Sequence, residues 1–374
     1  MTAVISGPDT QRKLEILSAD AQYDLACACG SNDDERRRRG SRGWVYPITL
    51  PNGGSSVLFK TLISNVCSND CKYCPLRAEQ DVRRCTLNAE ETVDTFLDYV
   101  SRGEVFGLFL SSGVLGTPDA TMEHLNRVAR ILRYRRNYRG YIHLKVIPGA
   151  SANAIEEAVS LSTAVSLNIE TPGAKYLAKL SSRKRFIEDI VEPIKLISRL
   201  TGRGNKYTRV KQTTQFIVGA ADESDSEIVK YMWGLYDRLN VRRVYFSAYQ
   251  KGPGDTEINK QAQPEDVFMR EHRLYQVDFL LRKYGFTESD ICFDSVGNLS
   301  LEVDPKEAWA KRHPEYFPVD INKASKYELL RVPGLGQITV ERILEQRKST
   351  RISTLSDVGK PTKRLTKANS YLIF

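Results

Sequence analysis

The stretch SVLFKTLISNVCSNDCKYCP, residues 56–75, joins a short apolar run to three cysteines, Cys67, Cys71 and Cys74. The run SVLFKTLI (56–63) is rich in branched and aromatic side chains, which is typical of a buried β-strand. The cysteines have the spacing C-x3-C-x2-C, which is one ligand short of a closed zinc site. The stretch therefore indicates a broken zinc site, a disulfide fragment, or a metal centre with an open coordination position.

The redox environment favours the metal centre. The N-terminus has no apolar run of signal-peptide length, and no stretch approaches the ~18 apolar residues that a membrane span needs. We therefore expect a cytoplasmic protein, in a bacterium or a virus-infected host, with mostly reduced thiols. An odd number of cysteines also argues against a disulfide framework. Those outside the motif are interpreted as structural or incidental: Cys27, Cys29, Cys85 and Cys292.

Five further apolar runs continue the pattern that begins at residue 56. They are VFGLFLSS (105–112), YIHLKVI (141–147), AVSLNIE (164–170), TTQFIVG (213–219) and RRVYFSAY (242–249). Helical patterns separate them at 88–103, 120–136, 153–161, 184–200 and 225–239. Such alternation predicts an α/β fold with a parallel sheet, whose sites lie at the carboxyl ends of the strands. In the first of these helices, Asn88 is a candidate N-cap and Gly103 a candidate end.

The cysteine chemistry favours iron over zinc. Structural zinc takes four ligands, commonly from two C-x2-C pairs, and no second pair follows this motif. A [4Fe–4S] cluster bound by three thiolates leaves one iron available for a small molecule, to which it can pass one electron. Cys85 is a distant candidate for a fourth ligand, so zinc stays open as the alternative.

The motif, with Tyr73 before its last cysteine and a strand ahead of it, resembles that of the radical S-adenosylmethionine (SAM) enzymes. The resemblance implies a partial (βα)6 TIM-like barrel over residues 46–300. It also implies a [4Fe–4S] cluster on Cys67, Cys71 and Cys74, whose open iron binds the amine and carboxylate of SAM. An external one-electron reductant would then yield a 5′-deoxyadenosyl radical, while the protein positions the cofactor and excludes water.

The same resemblance implies further cofactor contacts at the strand ends. Tyr73 matches an aromatic residue beside the adenine. The second strand ends in LFLSSGV, where the superfamily has a Gly-Gly-Glu-like turn that binds the methionine amine. This chain keeps small residues there, Ser111, Ser112 and Gly113, but no carboxylate. Hydroxyl or backbone groups would have to replace that carboxylate.

Three more positions follow the superfamily by their place in the chain. Asn168 and Glu170 fall where polar strand-end residues contact the ribose and the methionine, and Gly219 falls where backbone contacts adenine. No catalytic residue is identified; the candidates are Cys85, Lys145 and Tyr249.

The two ends of the chain are unusually polar. Residues 1–45 resemble a polar extension, with SNDDERRRRGSRG at 31–43. From Pro318 to Phe374 there are 11 Lys/Arg and 5 Asp/Glu, which gives +6 of the net charge of +9. A basic C-terminal segment indicates a polyanionic partner. Residues 301–317 are expected to be a linker to it.

Within that segment, PVDINKASKYELLRVPGLGQITVERILEQRK (318–348) predicts a helix, a tight turn and a second helix, with Asn322 as candidate N-cap. It resembles the helix–hairpin–helix module, which implies a small all-α domain over 318–374 that binds DNA backbones without sequence preference. Gly334 and Gly336 would let the backbone approach a phosphate. The candidate cations are Lys323, Arg331, Arg342 and Lys348.

Over roughly 12–350, the chain resembles radical SAM proteins with a helix–hairpin–helix domain that are labelled DNA modification or repair enzymes. The resemblance rests on LFLSSGV, QTTQFIVGAADESDSEI, VYFSAY, REHRLYQVDFLLRKYGF and DPKEAWAKRHPEYFPVDIN. It implies an enzyme that acts on a flipped base in DNA, for example as an isomerase of a hypermodified thymine side chain. Four alternatives stay open: DNA repair, tRNA modification, a small-molecule substrate with DNA only localising the enzyme, and a non-enzymatic zinc-stabilised DNA-binding protein. Oligomeric state is also open.

Overall fold

Seven strands form the main sheet of the protein, which is a computed structural model described over residues 8–21, 43–49, 55–250, 258, 263–360 and 362–374. In sheet order they are β1 Val45–Thr49, β2 Ser55–Leu62, β3 Gly107–Ser111, β4 Tyr141–Lys145, β5 Ala164–Ser166, β6 Lys211–Val218 and β7 Arg243–Ala248. Strands β2 to β7 are parallel, and β1 pairs antiparallel with β2. The six predicted runs are therefore the six parallel strands of a curled half-barrel, and β1 is an addition that the sequence patterns missed.

The helices alternate with these strands as expected. They are α2 Ala89–Ser101, α3 Pro118–Arg130, α4 Ala152–Leu161, α5 Ala174–Leu180, α6 Glu192–Thr201, α7 Asp225–Asp237 and α8 Pro264–Lys283. Asn88 caps α2 in a capping box: its side chain accepts from the Glu91 N–H at 2.8 Å, and its N–H donates to the Glu91 carboxylate at 2.7 Å. Gly103, at φ 70°, follows the last turn. Both predicted ends of this helix are confirmed.

The sheet has one buried apolar face at its centre. Leu108 and Leu110 of β3 and Ile142 and Leu144 of β4 are completely buried. Residues two apart on a strand share a face, and Leu108 pairs with Ile142 and Leu110 with Leu144, so all four lie on the same face. The alternate residues, such as His143, lie on the opposite face.

A helix that the sequence patterns missed lies inside the predicted polar extension. Helix α1, Thr10–Ala21, buries Leu14, Leu17 and Ala21. The Lys13 ammonium lies 2.7 Å from the Glu91 carboxylate of α2. The spacing of the three apolar residues is helical, but the surrounding charge concealed it. Cys27, Cys29 and the four arginines at 36–39 lie outside the described residues.

The chain divides into two compact units. The first comprises Met1–Glu223 and Gly234–Phe268, and the second comprises Ser224–Trp233 and Met269–Phe374. The second unit thus begins upstream of the predicted linker. That linker contains helix α9, Pro305–Arg312, whose buried Trp309 packs edge-on against Phe286 at 5.5 Å. It is therefore part of a packed unit.

The remaining elements of the second unit are α10 Lys326–Arg331, α11 Gln337–Gln346, α12 Lys363–Ala368 and the strands β8 Val319–Asp320 and β9 Leu372–Ile373. Strands β8 and β9 pair in parallel, so the all-α prediction is wrong in this respect. Asn322 is not a helix cap, because Ser325 caps α10. The Asn322 amide instead exchanges two 2.9 Å hydrogen bonds with the backbone of Ile352. In the described part of the chain, no helix has the length and apolarity that crossing a bilayer requires.

Candidate cofactor site

A pocket opens in the first unit at the carboxyl ends of the parallel strands. The three motif cysteines line it: Cys67, Cys71 and Cys74. The other predicted positions that line it are Tyr73, Ser111, Ser112, Gly113, Lys145, Asn168, Glu170 and Tyr249. The structure therefore brings together the cysteine motif and predicted residues from the ends of β3, β4, β5 and β7.

Two predicted positions do not line this pocket. The N–H of Gly219 donates to the Glu223 carboxylate. The thiol of Cys85 lies 3.9 Å from the backbone carbonyl of Lys13. Among the described residues, neither is one of those that line the pocket, and the role of Cys85 stays a prediction.

Asp70 anchors one side of the cysteine loop, which we define as residues 65–77. Its carboxylate accepts the Ser181 hydroxyl at 2.5 Å, the Ser182 N–H at 2.9 Å and the Ser182 hydroxyl at 2.6 Å. Partial burial raises the pKa of Asp70, but these hydrogen bonds outweigh burial and lower the pKa to about 2. The ionised side chain therefore joins the cysteine loop to the segment that follows α5.

Arg84 anchors the other side of the loop. Its guanidinium donates to four backbone carbonyls, those of Asn65, Leu76, Arg77 and Gln80. The planar guanidinium has five N–H donors, so it can bind several carbonyl oxygens at once. The guanidinium thereby fixes both ends of the cysteine loop.

Asn65 links the loop to helix α1. Its amide donates at 2.7 Å to the Asp20 carboxylate and to the Arg83 carbonyl, and its oxygen accepts from the Cys85 N–H at 2.7 Å. Asp20 lines the pocket. Burial raises the pKa of Asp20 despite the hydrogen bond from Asn65. Sequence patterns missed Asp20 because they missed α1.

Gly113 is required by close packing against the loop. A Cβ atom at Gly113 would overlap the Val66 carbonyl oxygen and lie 3.2 Å from the Cys67 Cβ. The next residue, Val114, directs its N–H at the Cys67 sulfur at 3.4 Å. The small residue at the end of β3 thus lets the strand support the first cysteine.

A buried ion pair lies beside the cysteines. The Lys184 ammonium lies 3.6 Å from Glu170 Oε1 and donates to the Tyr73 hydroxyl at 3.1 Å. Both charged side chains are only 7% exposed. Glu170 has a left-handed backbone, φ 65°, and among the described residues its Oε2 has no hydrogen-bond partner. A strained acid with an unsatisfied oxygen in a pocket is the kind of group that a ligand completes.

Sequence reasoning missed Lys184. It belongs to the run SSRKR (181–185), which looks like the solvated start of a helix. Burial lowers the pKa of Lys184, but Cys71 and Glu170 outweigh burial and raise it above its usual range. Only the spatial neighbours, more than ten residues away along the chain, distinguish it from a surface lysine.

The thiols have the character of metal ligands. Burial raises the pKa of Cys71 and raises that of Cys74 to about 12. Thiolates in such surroundings need a strong local positive charge, which a bound metal supplies when it deprotonates its thiol ligands. Three cysteines that line one pocket are a donor set that fits a [4Fe–4S] cluster, in which each thiolate binds its own iron.

A curled parallel half-barrel with three clustered cysteines at its strand ends defines an α/β domain built for an iron–sulfur cofactor. Residues 61–232 match the Radical SAM superfamily, so this part of the chain is a radical SAM superfamily domain. The cofactors of this superfamily are a [4Fe–4S] cluster and SAM, which confirms the cofactor prediction.

Several solved structures have similar folds but low sequence identity to this chain. The [FeFe]-hydrogenase maturase HydG from Carboxydothermus hydrogenoformans is 14% identical, with TM-score 0.48, over 60% of this chain and 51% of HydG. Streptococcus suis SuiB bound to SAM is 13% identical, with TM-score 0.45, over 75% of this chain and 65% of SuiB. The matched part thus spans about half the length of HydG. No curated protein sequence matches the chain significantly.

The predicted DNA-binding residues of the second unit differ in their availability. Arg331 pairs with Asp290 at 3.1 Å and stacks on Phe286 and Trp309 at 4.4 and 4.5 Å. Its side chain is 18% exposed and packs within the unit, and its phosphate contact stays a prediction. Lys323 and Lys348 are exposed but pair with acids three residues away, at 3.1 and 2.6 Å.

The two predicted glycines also differ. Gly334, at φ 88°, lies against α12, since a Cβ there would overlap the Arg364 carbonyl. Its role in the structure is therefore close helix packing. A Cβ at Gly336 would meet only the Tyr284 hydroxyl at an ordinary 3.6 Å. The backbone surface at Gly336 is therefore accessible. The Arg342 guanidinium, another predicted phosphate contact, donates to the Val358 carbonyl at 3.1 Å.

Proposed function

We propose that this chain is a radical SAM enzyme that modifies or rearranges a base within DNA, with isomerisation of a modified thymine side chain as one such reaction. The observation that carries the proposal is a pocket that brings Cys67, Cys71 and Cys74 together beside a buried Glu170–Lys184 pair. The superfamily match of residues 61–232 supports the enzyme class. The basic C-terminal segment 318–374, with a net charge of +6, supports a nucleic-acid partner.

Different residues of the pocket would bind different parts of the cofactor. Cys67, Cys71 and Cys74 would hold the cluster. Glu170 and Lys184 offer one charge of each sign, which matches the ammonium and carboxylate of the methionine part of SAM. When bound, the cluster and SAM supply one-electron cleavage of the sulfonium and a carbon radical that abstracts hydrogen. An external reductant must provide the electron.

The remaining wall of the pocket is suited to a polar, flat substrate. It contains Lys145 from β4, Gln215 from β6, and Ser247 and Tyr249 at the end of β7. An amide, a hydroxyl and a cation are the groups that hydrogen-bond the edge of an extruded base. Lys145 and Tyr249 therefore stay candidates for contacts with the reacting base.

Anaerobic reconstitution tests the enzyme class. The wild-type chain with iron, sulfide, dithionite and SAM should gain visible absorbance and release 5′-deoxyadenosine. Cys67→Ala should lose both, whereas Cys292→Ala, which changes a thiol in the second unit, should keep both. Cleavage of SAM by Cys67→Ala would contradict the assignment.

A second experiment tests the substrate. Nucleosides from digested DNA of cells with and without the gene are compared by mass spectrometry, beside nucleosides from tRNA. A modified deoxynucleoside that requires both the gene and Cys67 is the expected result. A change confined to tRNA nucleosides would contradict the DNA substrate while leaving the enzyme class intact.

A further inference from the structure

A groove in the second unit is formed by two segments of the chain. One wall comes from the turn before α11 and its first residues, Gly336, Thr339 and Arg342. The other comes from the segment leading into α12: Gly359, Lys360, Thr362 and Arg364. The Arg342 guanidinium donates across to the Val358 carbonyl at 3.1 Å. Because Gly334 also abuts the Arg364 backbone, the two walls are one packed structure.

The second wall carries cations without acidic partners. Lys360 and Arg364 line the groove, and Lys363 lies next to them in the chain without lining it. All three are exposed, and within the described residues none of them forms an ion pair. The nearest acid along the chain, Asp357, accepts from the Ser353 and Thr354 N–H groups at 2.9 Å each. Among the described residues, no acid compensates these three positive charges within five positions.

Three other surface lysines of the unit differ in this respect. Lys323 pairs with Asp320, Lys348 with Glu345, and Lys326 with Glu341 at 3.4 Å. A paired cation must give up its acid before it neutralises a phosphate, and it releases little bound counterion when it does so. An unpaired cation releases counterions directly, which is the main source of affinity for a polyphosphate backbone.

The mouth of the groove also has an apolar side chain. Ile338 lines it and is 75% exposed. An exposed branched residue between cations suits a strand that alternates phosphates with apolar sugar faces better than it suits a small inorganic anion.

We infer that this groove binds the phosphodiester backbone of DNA, with Lys360, Lys363 and Arg364 as the cations that neutralise phosphates. Gly336 and Arg342 form the facing wall. The inference rests on the proposed DNA partner. It moves the expected phosphate contacts from Lys323 and Arg331, around α10, to the segment that follows residue 357.

Two triple variants of the full-length chain test the inference. Lys360→Gln/Lys363→Gln/Arg364→Gln removes the unpaired charges, and Lys323→Gln/Lys326→Gln/Lys348→Gln removes the same number of paired ones. All six residues are exposed or ion-paired at the surface, so both variants should fold, which thermal unfolding and cluster absorbance check. Binding to a labelled random-sequence 20-base-pair duplex is measured by anisotropy between 50 and 300 mM KCl.

The groove variant should weaken binding about tenfold or more at 100 mM salt and should reduce the salt slope by up to roughly 2.7, that is 0.9 for each lost phosphate contact. The paired-lysine variant should change the affinity less than about threefold. Equal losses in both variants, or a larger loss in the paired one, would overturn the groove. Absence of duplex binding by the wild-type chain would instead overturn the proposed DNA partner.

Discussion

Glu170 and Lys184 show at the level of single residues how the pocket is prepared for a charged ligand. Both are buried, yet one carboxylate oxygen lacks a partner among the described residues. Removing one member of a buried ion pair leaves the other charge uncompensated, which is costlier than removing both. Breaking this buried pair should therefore lower the free energy of unfolding more than breaking an exposed pair would.

Lys184→Met should lower the free energy of unfolding of the first unit by about 3 kcal/mol, the range for a broken buried pair. The double variant Glu170→Gln/Lys184→Met should recover most of that loss but should bind SAM at least about tenfold more weakly, since both charges are gone. Urea denaturation and equilibrium dialysis with labelled SAM measure the two effects. A double variant as unstable as the single one would contradict the pairing.

Lys306 of α9 is a second residue whose burial has a measurable consequence. Its ammonium donates to the Leu330 and Leu335 carbonyls at 3.1 and 2.5 Å, beside the turn that precedes α11. Burial lowers its pKa to about 7, against a smaller opposite effect of Asp304. In the unfolded chain, the pKa returns to 10.5.

Between pH 7 and 10.5 the unfolded state therefore binds more protons at Lys306 than the folded state, and the stability of the second unit should rise with pH. The contribution approaches about 4 to 5 kcal/mol, at 1.36 kcal/mol for each pKa unit. Lys306→Met should flatten this rise, whereas Lys311→Met, an exposed lysine of the same helix, should keep it. A rise unchanged by Lys306→Met would contradict the assignment.

At the level of elements, the cysteine loop has no regular structure of its own and depends on its anchors. Asp70 attaches it to the segment after α5, Arg84 holds its two ends, and Gly113 supports it from β3. The loop after α5 also carries Lys184. The spacing of the cysteines is thus local, but their orientation is imposed by three other parts of the chain.

Asp70→Ala should release that anchor and lower the iron retained after reconstitution and desalting several-fold, as loss of an outer-shell partner typically weakens a metal site 10- to 100-fold. The electron paramagnetic resonance spectrum of the reduced cluster should also shift when SAM is added to the wild-type chain and shift less in the variant. Asp81→Asn, an exposed acid close behind the loop, serves as the control. Iron content and spectra equal to wild type would contradict the anchor.

At the level of the whole molecule, the candidate chemistry and the candidate DNA surface belong to different compact units. Each has its own core: buried strands in the first, and Leu329, Leu330, Val340 and Ile343 among others in the second. Substitutions in one site should therefore leave the other site's binding intact.

Cys67→Ala/Cys71→Ala/Cys74→Ala should abolish the cluster absorbance yet leave duplex affinity within about twofold, because the phosphate contacts lie in the second unit. Conversely, the groove variant should release 5′-deoxyadenosine at the wild-type rate without DNA. Anisotropy and chromatography on the same preparations measure both. Loss of DNA affinity in the cysteine variant would show that the cluster supports the DNA surface.

Local patterns in the chain were enough for the six parallel strands, the helix start at Asn88 and the cysteine motif, because each depends on neighbours a few residues apart. Local patterns did not predict strand β1 and helix α1, because a short or charged amphipathic segment becomes stable only through the surface that it covers. The roles of Lys184, Arg331 and Asn322 also depended on the fold. Their partners lie 14 to 111 residues away along the chain. Composition places charge on a segment, but the tertiary structure decides which charges are paired, buried or left to bind a ligand, because pairing and desolvation act through space.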